Sequence, residues 1–188
     1  MDIGTGDGLF VYHSARQNPQ KFYIGLDANR DALRKISEKI YRKPAKGGLP
    51  NVLFLESSVE DLPPELDGVA DEVHIHFPWG SLLKAVATGD RKVLGKLRRI
   101  CATSALLEVV IGSDLERDKS ELERQGLTSL SGEHLESVVI GEYRDSGFEI
   151  VEHGVLPPSE WPRLHTSWAK KLQGSPSRSL FYFIARVI

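Results

Sequence analysis

The chain has 188 residues and a formal net charge of −2, with 24 Lys and Arg against 26 Asp and Glu. That length suits one α/β domain with a substantial core and is too short for two ordinary ones, and the charge excludes a protein that coats nucleic acid indiscriminately. The single cysteine, Cys101, excludes an internal disulfide and a cysteine-based zinc cluster and points to a reducing, cytoplasmic setting, and no apolar run approaches the roughly twenty residues of a membrane span.

The chain opens on D-I-G-T-G-D-G at residues 2–8. An acid, an apolar residue and alternating glycines describe a strand that turns sharply into a helix, here residues 9–16. Gly4 and Gly6 allow positive φ and a close backbone approach, which is expected to set main-chain amides against a ligand. Only Asp2 and Ile3 represent the strand, so the first strand is expected to begin upstream of residue 1. A second strand at residues 22–26 ends in Asp27, where an acid at a strand tip can accept both hydroxyls of a ribose. G-x-G-x-G differs from the dinucleotide pattern G-x-G-x-x-G, and a carboxylate at Asp2 would repel a pyrophosphate but suits an ammonium group. S-adenosylmethionine carries both an ammonium and a ribose. A helix over residues 30–43 follows, then a third strand at residues 52–55 that leads into Ser57-Ser58-Val59-Glu60.

A fourth strand at residues 71–76 runs into Phe77-Pro78-Trp79-Gly80. One long helix is expected over residues 81–102, with Cys101 as a small buried group on it. A fifth strand at residues 105–111, a helix near residues 134–146 and two last strands at residues 148–155 and 180–187 complete the order. Alternating β and α elements imply a mainly parallel sheet with helices on both faces and ligands at the carboxyl ends of the strands. The last strands are expected to close the sheet with an antiparallel member, in the Rossmann-like manner of class I methyltransferases. Residues 1–188 are read as a single domain, in which residues 112–132 form a charged, substrate-reading insertion.

The charge is unevenly spread. Lys39, Arg42, Lys43 and Lys46 share a segment without acids, as do Arg163, Lys170, Lys171, Arg178 and Arg186, whereas residues 114–152 are the acidic counterweight. Either basic run alone describes a solvated helix end, but two of them around a cofactor fold favour a polyanionic substrate. The breaker-rich loop at residues 44–50 lies within the first run. His74 and His76 share a strand face and could ligate a metal, but no third ligand is evident nearby, so no metal is expected. Trp79, at a proline-fixed turn, is either packed or a stacking plate for a base, while Trp168 by its own sequence context reads as core packing.

D-x-G-x-G-D-G, F-Y-I-G-x-D, K-P-x-K-G-G-L, F-P-W-G and S-W-A-K-K-L, in that order, resemble the aminoglycoside-resistance methyltransferases that modify adenine N1 in the decoding site of 16S ribosomal RNA. The similarity spans essentially the whole chain, and its specificity lies in F-P-W-G and S-W-A-K. The resemblance implies that Trp79 and Trp168 hold the flipped target adenine. It places contacts to S-adenosylmethionine on Asp2, Gly4, Gly6, Asp27, Ser58, Glu60, Pro78, Ser81 and Thr166, and contacts to rRNA on Arg42, Lys43, Lys46, Lys171 and Arg178. The implied partner is the 30S subunit, met by a monomer without a membrane or a metal. Departures from the family are the missing start of the first strand and its preceding hairpin, Ser81 in place of a threonine, and a tail around Arg178 that is less basic.

Adenine N1 attacks with its own lone pair, so this chemistry needs base flipping, alignment and tolerance of a cationic purine, and no general base. Three alternatives stand beside it. A tRNA guanine-N7 methyltransferase would separate Pro78 from Trp79. A small-molecule methyltransferase would need neither the basic loop nor paired tryptophans. A non-catalytic module would bind cofactor or RNA without methyl transfer.

Overall fold

The computed structural model describes residues 1–113, 118–127, 132–157 and 179–188. Seven strands form one sheet: β1 (Asp2–Ile3), β2 (Tyr23–Asp27), β3 (Val52–Glu56), β4 (Ala70–His76), β5 (Cys101–Ser113), β6 (Phe148–Leu156) and β7 (Ser179–Val187). Their order is β3-β2-β1-β4-β5-β7-β6, in which β7 runs antiparallel to both β5 and β6. The order reverses between β1 and β4, and that switch point is where an open α/β sheet leaves a crevice at its carboxyl edge.

The helices are α1 (Leu9–Gln17), α2 (Arg30–Ile40), α3 (Gly80–Thr88), α4 (Arg91–Ile100), α5 (Lys119–Gln125) and α6 (Gly132–Asp145). Strand alternation sorts the core into two layers. Leu26, Val73, Ile75, Leu107, Val109 and Phe183 are buried in one cluster with the apolar faces of α3, α4 and α6. On the opposite face Val11, Tyr12 and Ala15 of α1 pack with Ile36 and Ile40 of α2 and Val52 of β3. Among the described residues no helix is long and apolar enough to cross a membrane.

Several boundaries differ from the sequence expectation. The expected helix over residues 81–102 is two helices, because Gly89 takes φ +65° as a left-handed cap and Asp90 starts a new helix by accepting from the amides of Lys92 and Val93 at 2.9 and 3.2 Å. Cys101 is not helical but opens β5, where burial pushes its thiol up to about 11. The second helix stops at Ile40, and Arg42 and Lys43 lie beyond it in a turn that Pro44 renews as a short 3-10 segment, Pro44–Lys46. β1 is only two residues long, whereas β2 and β4 extend beyond it towards their amino ends, and a gap of about 510 Å3 lined by Met1, Tyr23, Ile24, Ala70 and Glu72 lies between them.

Candidate functional site

A cleft of about 610 Å3 opens at the carboxyl ends of β1, β2 and β4. It is lined by Asp2, Gly4, Gly6, Asp27, Ser58, Glu60, Pro78, Trp79 and Ser81, so the structure brings together every described cofactor residue expected from sequence. Thr166 and Trp168, with Lys171 and Arg178, lie outside the described residues.

The glycine loop works differently from the expectation. Gly4, Gly6 and Gly8 all take left-handed φ of +74°, +59° and +68°, and a side chain at Gly8 would collide with Phe54 and Ile36. Its amides, however, are engaged within the protein. Gly4 and Thr5 donate to the Leu26 carbonyl at 2.8 and 2.9 Å, and Gly6 donates to Asp27 Oδ2 at 2.7 Å. The loop therefore offers close approach rather than an array of donors, as befits a ligand without a pyrophosphate. Asp27 Oδ1 also accepts from the Asn29 amide at 2.7 Å, so one carboxylate locks the glycine loop to the head of α2. Each of its oxygens keeps a second lone pair for a hydroxyl.

Asp2 is the polar anchor of the cleft. It is 3% exposed beside the Thr5 hydroxyl, and Asp2 Oδ1, Thr5 Oγ1 and His76 Nδ1 are buried without a well-aligned hydrogen bond among the described residues. Buried polar atoms are normally satisfied, so three orphans in the walls of one cleft mark where a polar ligand belongs. Burial pushes the Asp2 carboxyl above its ordinary value, against the pull of His76 and of the adjacent Thr5 hydroxyl. A cationic group would reverse that shift, which fits the ammonium of S-adenosylmethionine.

The aromatic turn is strained and anchored. Phe77 takes φ +52°, a conformation costing about 1–3 kcal/mol for a non-glycine residue, and its amide donates to the Val110 carbonyl at 2.8 Å. Its ring sits against Val110 of β5 and Leu180 of β7. Gly112 makes that seat possible, since a Cβ there would lie 3.1 Å from the ring and 3.0 Å from Leu180. Held in this way, the turn leaves Trp79 51% exposed, which rules out core packing for that residue.

Arg42, Lys43 and Lys46 are exposed, and among the described residues no carboxylate pairs with them. Their loop is fastened from beneath by Tyr12, whose hydroxyl donates to the Gly47 carbonyl at 3.0 Å. It precedes β3 at the amino edge of the sheet, so α2, about 16 Å long for its 11 residues, separates it from the cleft.

Sequence reasoning missed Thr5, the strain at Phe77 and Glu108. The expectation that His74 and His76 lack a third companion is overturned: Glu108 Oε2 lies 2.7 Å from His74 Nδ1 and 3.1 Å from His76 Nε2. Burial alone would raise the Glu108 carboxyl, but the hydrogen bonds from both histidines outweigh it and hold the group well below the carboxylate range. A lone acid within the apolar run A-L-L-E-V-V-I was the visible signal.

Residues 1–187 match the family described as 16S rRNA (adenine(1408)-N(1))-methyltransferase, NpmA. A protein of that name from Escherichia coli is 36% identical over 182 residues, covering 96% of this chain and 83% of its own. The crystal structure of the aminoglycoside resistance methyltransferase NpmB1 superposes with a TM-score of 0.80 at 42% identity, over 100% of this chain and 85% of the other. A tryptophan-to-alanine variant of the 16S rRNA (adenine(1408)-N(1))-methyltransferase from Catenulisporales acidiphilia, solved with the cosubstrate SAM, superposes with a TM-score of 0.88 at 31% identity, over 100% and 84%.

Proposed function

Because this chain belongs to the 16S rRNA (adenine(1408)-N(1))-methyltransferase family, we propose that it transfers a methyl group from S-adenosylmethionine to N1 of adenine 1408 in the 16S rRNA of the 30S subunit and thereby confers aminoglycoside resistance. The observation that carries this reading is one cleft in which the buried carboxylate of Asp2 and the carboxylate of Asp27 stand with the exposed indole of Trp79.

When bound, S-adenosylmethionine supplies an electrophilic sulfonium methyl. Asp2 would pair with its ammonium and Asp27 would accept its ribose hydroxyls, while Ser58, Glu60, Pro78 and Ser81 would line the rest of its cleft. Trp79 stacks on the flipped target base, and Trp168 gives the second face. No side chain takes a proton from the nucleophile, since N1 uses its own lone pair. The product purine is cationic, and an indole face favours it through cation–π attraction. The protein's contribution is to extract the base, exclude water and align N1, which is a matter of positioning.

Arg42, Lys43 and Lys46, with Lys171 and Arg178, meet rRNA phosphates. The described part of that surface lies a helix length from the cleft, so it reads the shape of a folded RNA rather than a sequence beside the target. We take residues 1–188 as one domain acting as a monomer, with residues 112–132 as a second substrate-reading element. Primer extension on 16S rRNA from 30S subunits incubated with the protein and S-adenosylmethionine tests the function, because an N1-methyl group blocks Watson–Crick pairing. A stop at adenine 1408 is expected on 30S and not on naked oligonucleotides; extension past that base without a stop would sink the assignment.

A further inference from the structure

Outside the methyl-transfer chemistry, the sheet face beneath α1 gathers a second constellation. His74 and His76 alternate to that face of β4, and Glu108 stands beside His74 in the parallel β4–β5 register. Their donor atoms, His74 Nδ1, His76 Nε2 and Glu108 Oε2, all lie within 4.8 Å of one another, with the carboxylate oxygen between the two nitrogens at 2.7 and 3.1 Å. Tetrahedral zinc, with bonds of about 2.0–2.2 Å, sets neighbouring donor atoms roughly 3.3–3.5 Å apart. To reach that spacing the Glu108 oxygen must withdraw from His74 by roughly 0.6–0.8 Å and the imidazoles must turn so that their two nitrogens close to it as well, side-chain adjustments that need no change in strand register. We propose that His74, His76 and Glu108 form a binding site for a divalent transition-metal ion, zinc above all, that ties β4 to β5 just below the aromatic turn.

The donor set and its surroundings both support this. Two imidazoles and one carboxylate suit zinc and its neighbours in the late first row, and leave a fourth position for water. His74 directs its other nitrogen, Nε2, towards Glu72 Oε2 at 3.7 Å, the position from which a carboxylate orients a ligating imidazole. The ring of Phe10 stands edge-on to both imidazoles, at 5.1 and 4.6 Å between centroids, and supplies an apolar wall. The side chain of His76 is 3% exposed, whereas those of His74 and Glu108 are 19% and 31% exposed, so an ion has a way in past the latter two. With Nε2 of His76 on a metal, Nδ1 carries the proton and becomes a fixed donor on a residue that lines the cleft. His76 directly precedes Phe77, so the ion would stiffen the strand that launches the strained turn.

The test uses the full chain freed of any polyhistidine tag and stripped with a chelator. Titration with Zn2+ is followed by calorimetry and melting, and titration with Co2+ by visible absorption. One equivalent of Zn2+ is expected to bind and raise the melting temperature, and Co2+ to give the intense visible bands of a four- or five-coordinate site. Glu108→Gln and His74→Gln should each weaken Zn2+ by more than about a hundredfold and Glu72→Gln by about tenfold, while circular dichroism and S-adenosylmethionine affinity stay parental. An unbound parent chain, or parental Zn2+ affinity in Glu108→Gln, overturns the site and leaves a purely hydrogen-bonded network. Should the variants fail to fold, X-ray absorption on the zinc-loaded parent decides, since any ligand set without two imidazoles also overturns it.

Discussion

The cofactor cleft and the basic loop are built on opposite principles. In the cleft, the Asp27 carboxylate is pinned by two amides, Phe77 is wedged into a socket, and the unpartnered atoms belong to buried groups. In the loop, Arg42, Lys43 and Lys46 stand in water, and the structure fastens only the backbone beneath them. Fixed groups serve alignment, where a small displacement is costly in rate, whereas mobile charges serve affinity for a polyanion, where many loose contacts add up. The cleft should therefore respond to single substitutions and the loop to charge and salt.

The largest effect is expected at Asp2 and Asp27. Asp2→Asn removes the ammonium's partner and should weaken S-adenosylmethionine by about 3 kcal/mol or more, over a hundredfold, in calorimetry. The same change should stabilise the ligand-free protein. The folded-state pKa of Asp2 is raised by burial, so the contribution of the protonated acid is lost as pH rises through that value. The advantage of Asn, about 1–3 kcal/mol in melting experiments, should then appear at neutral pH and fade toward acid. Asp27→Ala should lose comparable cofactor affinity but lower the melting temperature, because it also frees the glycine loop. Parental cofactor binding in either variant would break the contrast at its stronger side.

Trp79→Ala comes next. Loss of a stacking face worth about 1–3 kcal/mol gives a fivefold to hundredfold drop in methyl transfer to 30S subunits, and Phe should recover much of it. Since the indole is 51% exposed, the melting temperature should hardly move. A drop in activity that merely follows unfolding would return this residue to ordinary packing.

Reversal of Lys43 and Lys46 to Glu sharpens the other side. Binding to 30S subunits should fall about tenfold at moderate salt, with a shallower dependence of affinity on salt, while S-adenosylmethionine binds as before. An unchanged salt slope would remove the loop from the RNA surface. The smallest effect is expected for Gly112→Ala, at about 1–2 kcal/mol of stability and a few-fold in activity, as its methyl presses on Leu180 and Phe77. Equal activity at equal folded fraction would show that the socket does not aim Trp79.

The sheet was legible because its strands are bounded by glycine, proline and acids and separated by amphipathic runs, and the antiparallel last strand followed from the short separation of the final two apolar runs. The break at Gly89-Asp90 carried a helix stop and a helix start side by side, but apolar residues on both sides concealed it. At the site, Asp2 and Asp27 were legible from spacing alone, since one turn and one strand tip fix their neighbourhood. Glu108 was not, because β4 and β5 meet only after a long excursion of chain, and a register in space leaves no spacing in sequence. The engagement of the loop amides was hidden for the same reason: glycine spacing reports which backbone angles are allowed, not which carbonyls the amides find.

The Phe77 socket has a consequence for the order in which the protein is made. Its walls come from β5 and from Leu180 near the start of β7, which is synthesised well after β1, β2 and β4. A nascent chain can thus carry the Asp2 and Asp27 carboxylates on strands already paired, yet lack the socket that anchors the aromatic turn. The turn that carries Trp79 is therefore braced only once β7 has paired with β5.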